Sequence, residues 1–206
     1  MRIPVRATFT DQIHRALMFV HFYVPGASFL DIAVGHFLTY FTFALGDFTS
    51  VSSTLVSQWP TAPIVVEGKP TGETVRQTSA TQIAFSGTLK SGAVASFHFR
   101  AGISSENAGQ TPFLWLIDGE EGSLRVESTA PNGSFVHITR PRLFIKGAEW
   151  TPAEEPAPYV GNVALAWEEF AKGKQGSYST FEDAVRVHRV IHAIRRSSDE
   201  GRKITL

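Results

Sequence analysis

A chain of 206 residues with 43% hydrophobic and 18% charged side chains has the apolar mass for a proper core, which excludes a disordered polymer. Nineteen basic residues balance nineteen acidic ones, so no basic excess marks a reader of nucleic-acid phosphates. Cysteine is absent, which removes disulfides, thiolate nucleophiles and cysteine metal ligands.

Taken in order, the chain opens on Arg2 and Arg6 and an apolar stretch interrupted by Asp11, His14, Arg15 and His21. Those interruptions argue against a signal peptide; residues 1–25 read instead as a helical segment capped by Thr10 and Asp11. No uncharged apolar run reaches the ~18 residues that a membrane span needs. The expectation is a cytoplasmic protein that engages neither membrane nor nucleic acid.

Residues 26–47 form the central helix. Leu30, Val34, Phe37, Leu38, Phe41 and Leu45 recur at helical spacing, and Gly46 supplies a stop. Residues 48–150 switch to alternation and read as an antiparallel sheet. Phe48–Trp59 is its first strand, and 63–78 a loop with a marginal edge strand at Ile64–Val66. Residues 82–90 and 93–100 make a hairpin about Lys90–Gly92, with Ile83, Phe85 and Leu89 on one face. Phe113–Asp118 and Ser123–Ser128 make a second hairpin around GEEG, and Ser134–Thr139 with Leu143–Lys146 a third. Residues 160–197 hold two helices: Asn162–Lys172, and Thr180–Ser197 with its cap at Ser179 or Thr180 and a Glu182–Arg186 ion pair. Ile204–Leu206 is placed at a sheet edge. The fold expected is one α+β domain, with an open, mainly antiparallel sheet and helices packed on one face.

The segments GASFLDIAVGHFL, IAFSGTLKSGAVASFHFRAG, FLWLIDGEEGSLRV and FEDAVRVHRVIHAIRRSSDEGRKI resemble the C-terminal domain of the glucose-fructose oxidoreductase/inositol dehydrogenase/MocA (Gfo/Idh/MocA) family, in its galactose-repressor-like branch. The resemblance implies a dinucleotide-binding domain ahead of this segment, yet no GxGxxG or EKP motif occurs. The chain is therefore expected to work without a cofactor and without a metal.

Asp31 and His36 are the expected catalytic residues. The family's catalytic helix spaces its aspartate and histidine four apart; here they are five apart, ~140° around a regular helix, which argues against a stacked pair. Thr39 stands where the family's GHxLD segment has aspartate. Tyr40, Phe37, Thr39, His98, Arg100 and Trp115 are the expected substrate-binding residues, with His98 and Arg100 meeting Trp115, Arg125 or His137 across the sheet. His188 and His192 have ligand spacing on a helix, but Arg189 stands where a zinc protease needs glutamate, so they read as structural.

The function expected is a cofactor-independent enzyme that cyclises, rearranges or isomerises an apolar small molecule in the groove vacated by the nucleotide domain, working as a homodimer through the open sheet face. The alternatives are the C-terminal half or subunit of an NAD(P)-dependent oxidoreductase, or a non-catalytic regulatory or dimerisation module.

Overall fold

The computed structural model describes residues 13–14, 28–66, 69–101, 111–129, 141–151 and 160–206. In chain order these form β1 (Ile13–His14), a π turn (Leu30–Val34) running into α1 (Gly35–Leu45), β2 (Phe48–Val56), β3 (Thr61–Val66), β4 (Lys69–Arg76), β5 (Gln82–Leu89) and β6 (Val94–Arg100). There follow β7 (Phe113–Gly119), β8 (Gly122–Ser128), β9 (Arg142–Ile145), β10 (Ala148–Trp150), α2 (Val160–Ala171), a 3-10 turn (Gly173–Gln175), α3 (Phe181–Glu200) and β11 (Ile204–Thr205). The chain divides into two compact units, Met1–Ser104 with Ser179–Leu206, and Ser105–Tyr178. Among the described residues no helix is long and apolar enough to cross a membrane.

The first unit is built on a sheet ordered β11-β2-β5-β6. The alternation of β5 buries Ile83, Phe85 and Leu89 on one face. Gly87 has to be glycine, because a Cβ there would lie 2.5 Å from the Ser50 carbonyl oxygen and 2.7 Å from the Phe48 ring. That close approach coincides with the register shift of β2 between Phe48 and Ser50. Helix α1 lays Phe37, Leu38 and Phe41 on the sheet, where the two phenylalanine rings meet those of β2 and β6. Phe41 stacks on Phe48 at 5.4 Å and meets Phe97 edge-on at 4.9 Å, while Phe85 stacks on Phe97 at 4.3 Å. Such arrangements match the quadrupoles of the rings and fill space at organic-crystal density.

Helix α3 opens on a reciprocal cap between Thr180 and Asp183 and ends at Gly201 in the left-handed region. Its apolar stripe, Val187, Val190, Ile191 and Ile194, is buried. Past the span where β11 pairs with β2, α3 itself satisfies the strand: the Ser197 hydroxyl accepts from the Ser53 amide at 2.9 Å, and the Ser198 hydroxyl from the Leu55 amide at 3.0 Å. Ser197 also donates to the Arg202 carbonyl at 2.7 Å. Ser197→Ala therefore removes the partner of a half-buried strand amide and of the Arg202 carbonyl. An expected loss of about 1–3 kcal/mol in chemical unfolding checks this.

Several expectations are corrected. The 63–78 loop is a hairpin, β3 with β4: Pro63 falls at the register shift of β3, and Pro70 lies on the edge strand, where a missing donor costs no ladder bond. Ile13 and His14, assigned to a helix, pair in parallel with Ile64 and Val65; the rest of that helix, and the strand 134–139, lie outside the described residues. Strand β9 turns back into β10 through Lys146 and Gly147, both at positive φ. Arg186 bonds Asp183 and approaches Asp47 at 3.7 Å; the expected Glu182 pair does not form.

In the second unit the sheet runs β10-β9-β8-β7. Arg125 and Arg142 both lie over the Phe144 ring, at 4.1 and 4.8 Å.

Candidate functional site

The central helix is held at two places. At its start, the Ser28 amide and hydroxyl donate to one Asp31 oxygen at 3.1 and 2.6 Å, and the Asp31 amide returns a bond to the Ser28 hydroxyl at 3.3 Å. Arg195 of α3 donates to the other Asp31 oxygen at 2.5 Å and to the Ser28 hydroxyl at 3.3 Å. The Asp31 side chain is only 2% exposed and that of Arg195 22%. Burial alone would raise the Asp31 pKa, but the hydrogen bonds from Arg195 and Ser28 outweigh it and hold the carboxyl below the usual aspartate range. Further along, Phe37, Leu38 and Phe41 fix the helix to the sheet.

Between these anchors the chain carries one residue too many for a regular helix. The π turn absorbs it: the Gly35 amide bonds the Leu30 carbonyl, five residues back. An i→i+5 turn brings residue i+5 back over residue i, so Asp31 and His36 fall on one side of the helix rather than ~140° apart as on a regular one. Both line a groove of about 180 Å³ between α1 and α3, together with Thr39 and His188. The sequence signal for this was the five-residue spacing itself, one more than the family's four, which is the mark of a residue inserted into a helix.

The other expected site residues separate. His36 is exposed and Thr39 half-buried, its hydroxyl donating to the Gly35 carbonyl at 3.0 Å. Tyr40 packs edge-on against Phe37 at 4.9 Å, and burial pushes its phenol above the ordinary range, so it stays neutral at physiological pH. Phe37 is buried among Phe97, Phe99 and Phe41 and belongs to the core rather than to a ligand wall. His98 and Arg100 are exposed on the edge strand β6, and Trp115 lies on β7 in a different sheet of the other unit. His188, read as structural, is exposed and joins the groove; sequence spacing to His192 had drawn attention away from it. Among the described residues no group of three or more histidines or carboxylates is arranged to hold a metal.

A family model described as the C-terminal domain of Gal80p matches residues 5–128. The chain belongs to that family. As a Gal80p C-terminal-type domain it is of the Gfo/Idh/MocA C-terminal kind, an α+β fold with mostly antiparallel open sheets. Among solved structures, the transcriptional regulator Gal80p from Kluyveromyces lactis is 21% identical, with a TM-score of 0.76, covering 96% of this chain and 52% of that one. A levoglucosan dehydrogenase is 19% identical, with a TM-score of 0.64, covering 89% and 52%. A dehydrogenase of Aspergillus oryzae, aclE, is 26% identical over an alignment of 197 residues that covers 85% of this chain and 48% of that protein. The chain thus spans about half the length of the relatives it matches.

The same levoglucosan dehydrogenase has been solved in complex with NADH and L-sorbose. The described residues offer no glycine cradle for the pyrophosphate of such a dinucleotide. Their glycines at positive φ close hairpins, end helices or sit within strands, and none stands between a strand and a helix N-terminus to cradle a pyrophosphate.

Proposed function

We propose that this chain is the substrate-side half of an oxidoreductase-like protein, in which His36 takes the proton of a substrate hydroxyl or gives one to the oxygen of a substrate carbonyl. The observation that carries this reading is the π turn, which sets an exposed imidazole beside a locked carboxylate in one groove. Asp31 has both oxygens engaged and acts as a positioning residue: it holds the start of the helix that carries His36 to α3. Thr39 offers acceptor lone pairs to a substrate hydroxyl.

The groove beside His36 holds about 180 Å³, room for the reacting end of a substrate and not for a whole molecule. A self-contained cyclase or isomerase would need this chain to close the pocket alone, and the aromatic rings expected to line such a pocket pack against one another. The half-length matches to dehydrogenases favour a second half that completes the site.

The test is a chimaera that sets the unmatched half of the Aspergillus oryzae dehydrogenase ahead of this chain. His36→Ala is expected to lower kcat by about 10²–10⁴-fold, with stability within about 0.5 kcal/mol because the side chain is exposed. Unchanged turnover would overturn the assignment. The match to the Gal80p domain supports a second reading, a sensing half that binds without reacting. There His36→Ala weakens ligand binding while no chimaera turns over.

A further inference from the structure

A second, more open groove of about 590 Å³ runs along the outer face of α3 against β11, with Phe181, Val185, Ile204 and Leu206 in its walls. It shares Ala184 and His188 with the groove beside His36. The two are therefore sides of one surface that crosses α3 at Ala184. Phe181 and His188, three residues before and four after, stand above and below this methyl-sized saddle on the same helix face. Phe181 is 90% exposed, Val185 50% and Leu206 44%. Grouped apolar side chains left in water mark a contact surface, while singly scattered ones do not. The outer groove falls in the ~300–1,000 Å³ range of small-molecule sites.

We propose that the ligand of the His36 groove is an amphipathic alcohol or ketone rather than a polyol. Its oxygen end lies beside His36 and Thr39, and its apolar body crosses the Ala184 saddle to lie along Phe181, Val185 and Leu206. The inference rests on the reading of His36 as the proton-handling group and adds the class of molecule that reaches it. A polyol would leave Phe181, Val185 and Leu206 uncovered, although His188, Arg189, His192 and Arg196 border the same groove.

Calorimetric titration of the full chain with 1-hexanol, 1-octanol, 1-decanol and glycerol tests this. Affinity is expected to rise about two- to fourfold per methylene, the upper figure corresponding to full burial of each CH₂, with glycerol weakest. Ala184→Trp, at an exposed helix position, is expected to flatten the series. His36→Ala is expected to weaken all three alkanols by a common factor and leave the slope intact. A flat series, or a slope that survives Ala184→Trp, would overturn the inference and leave the reading of His36 standing. Alkanol affinities that His36→Ala leaves unchanged would instead overturn the reading of His36.

Discussion

Phe41→Ala is expected to destabilise the first unit by about 3–5 kcal/mol, among the largest effects of any single truncation. Phe41 is essentially inaccessible and touches rings from three elements, stacking on Phe37 at 6.0 Å and Phe48 at 5.4 Å and meeting Phe97 edge-on. Its removal forfeits the transfer free energy of the ring and leaves a cavity that the flanking strands, tied by their ladders, cannot fully close. Urea unfolding with an unchanged m-value measures the loss. Benzene is expected to restore part of it by occupying the void. A cost below about 1 kcal/mol would mean that these rings do not form the packed core, and that the interior has the free space a self-contained pocket would need.

Arg195→Ala is expected to cost about 3 kcal/mol, or roughly 6–12 °C in Tm for a chain of this size. The guanidinium balances a carboxylate that is almost wholly buried, and its loss strands that charge with only the Ser28 bonds. The pH dependence follows from the direction of the Asp31 shift. A carboxyl whose folded pKa lies below its unfolded value of about 3.9 contributes its full stability above that value and loses it as pH falls through the lower folded one. The native protein is therefore expected to lose stability at this site only below about pH 4. Arg195→Ala is expected to flatten that acid limb. Thermal melts between pH 2 and 7 separate the two; an equally steep limb in the variant would show that Arg195 does not set the Asp31 ionisation.

Much of the architecture was legible because hydrophobic period alone reports it. The three-and-four spacing from Leu30 to Leu45, the alternation of Ile83, Phe85 and Leu89, and the acidic first turn of α3 each became the element they suggest. What resisted reading was local and had a physical cause. Pro63, Pro70 and Gly72 look like breakers, but a bulge and an edge strand accommodate them in β3 and β4. The turn into β10 uses lysine, an unusual choice at positive φ, so Lys146–Gly147 was not read as a hairpin.

The site was half legible for the same reason. Asp31 and His36 stood out as ionisable groups on an apolar helix, but their relation depended on whether the extra residue would tilt one of them away or be taken up by a π turn. Two anchors decide this, the Ser28–Asp31–Arg195 lock and the Phe37–Phe41 contact with the sheet. Arg195 lies 164 residues from Asp31, and no local pattern pairs them. Phe37 was misassigned because a ring on a helix gives no sign, in sequence, of whether it faces a sheet or a ligand.

On the proposed function labour is divided: this chain holds the substrate and its proton, and any dinucleotide is held elsewhere. Calorimetric titration of NADH and NADPH into the full chain tests it most directly. No saturable heat is expected up to millimolar nucleotide; one-to-one binding with a micromolar Kd would contradict the claim.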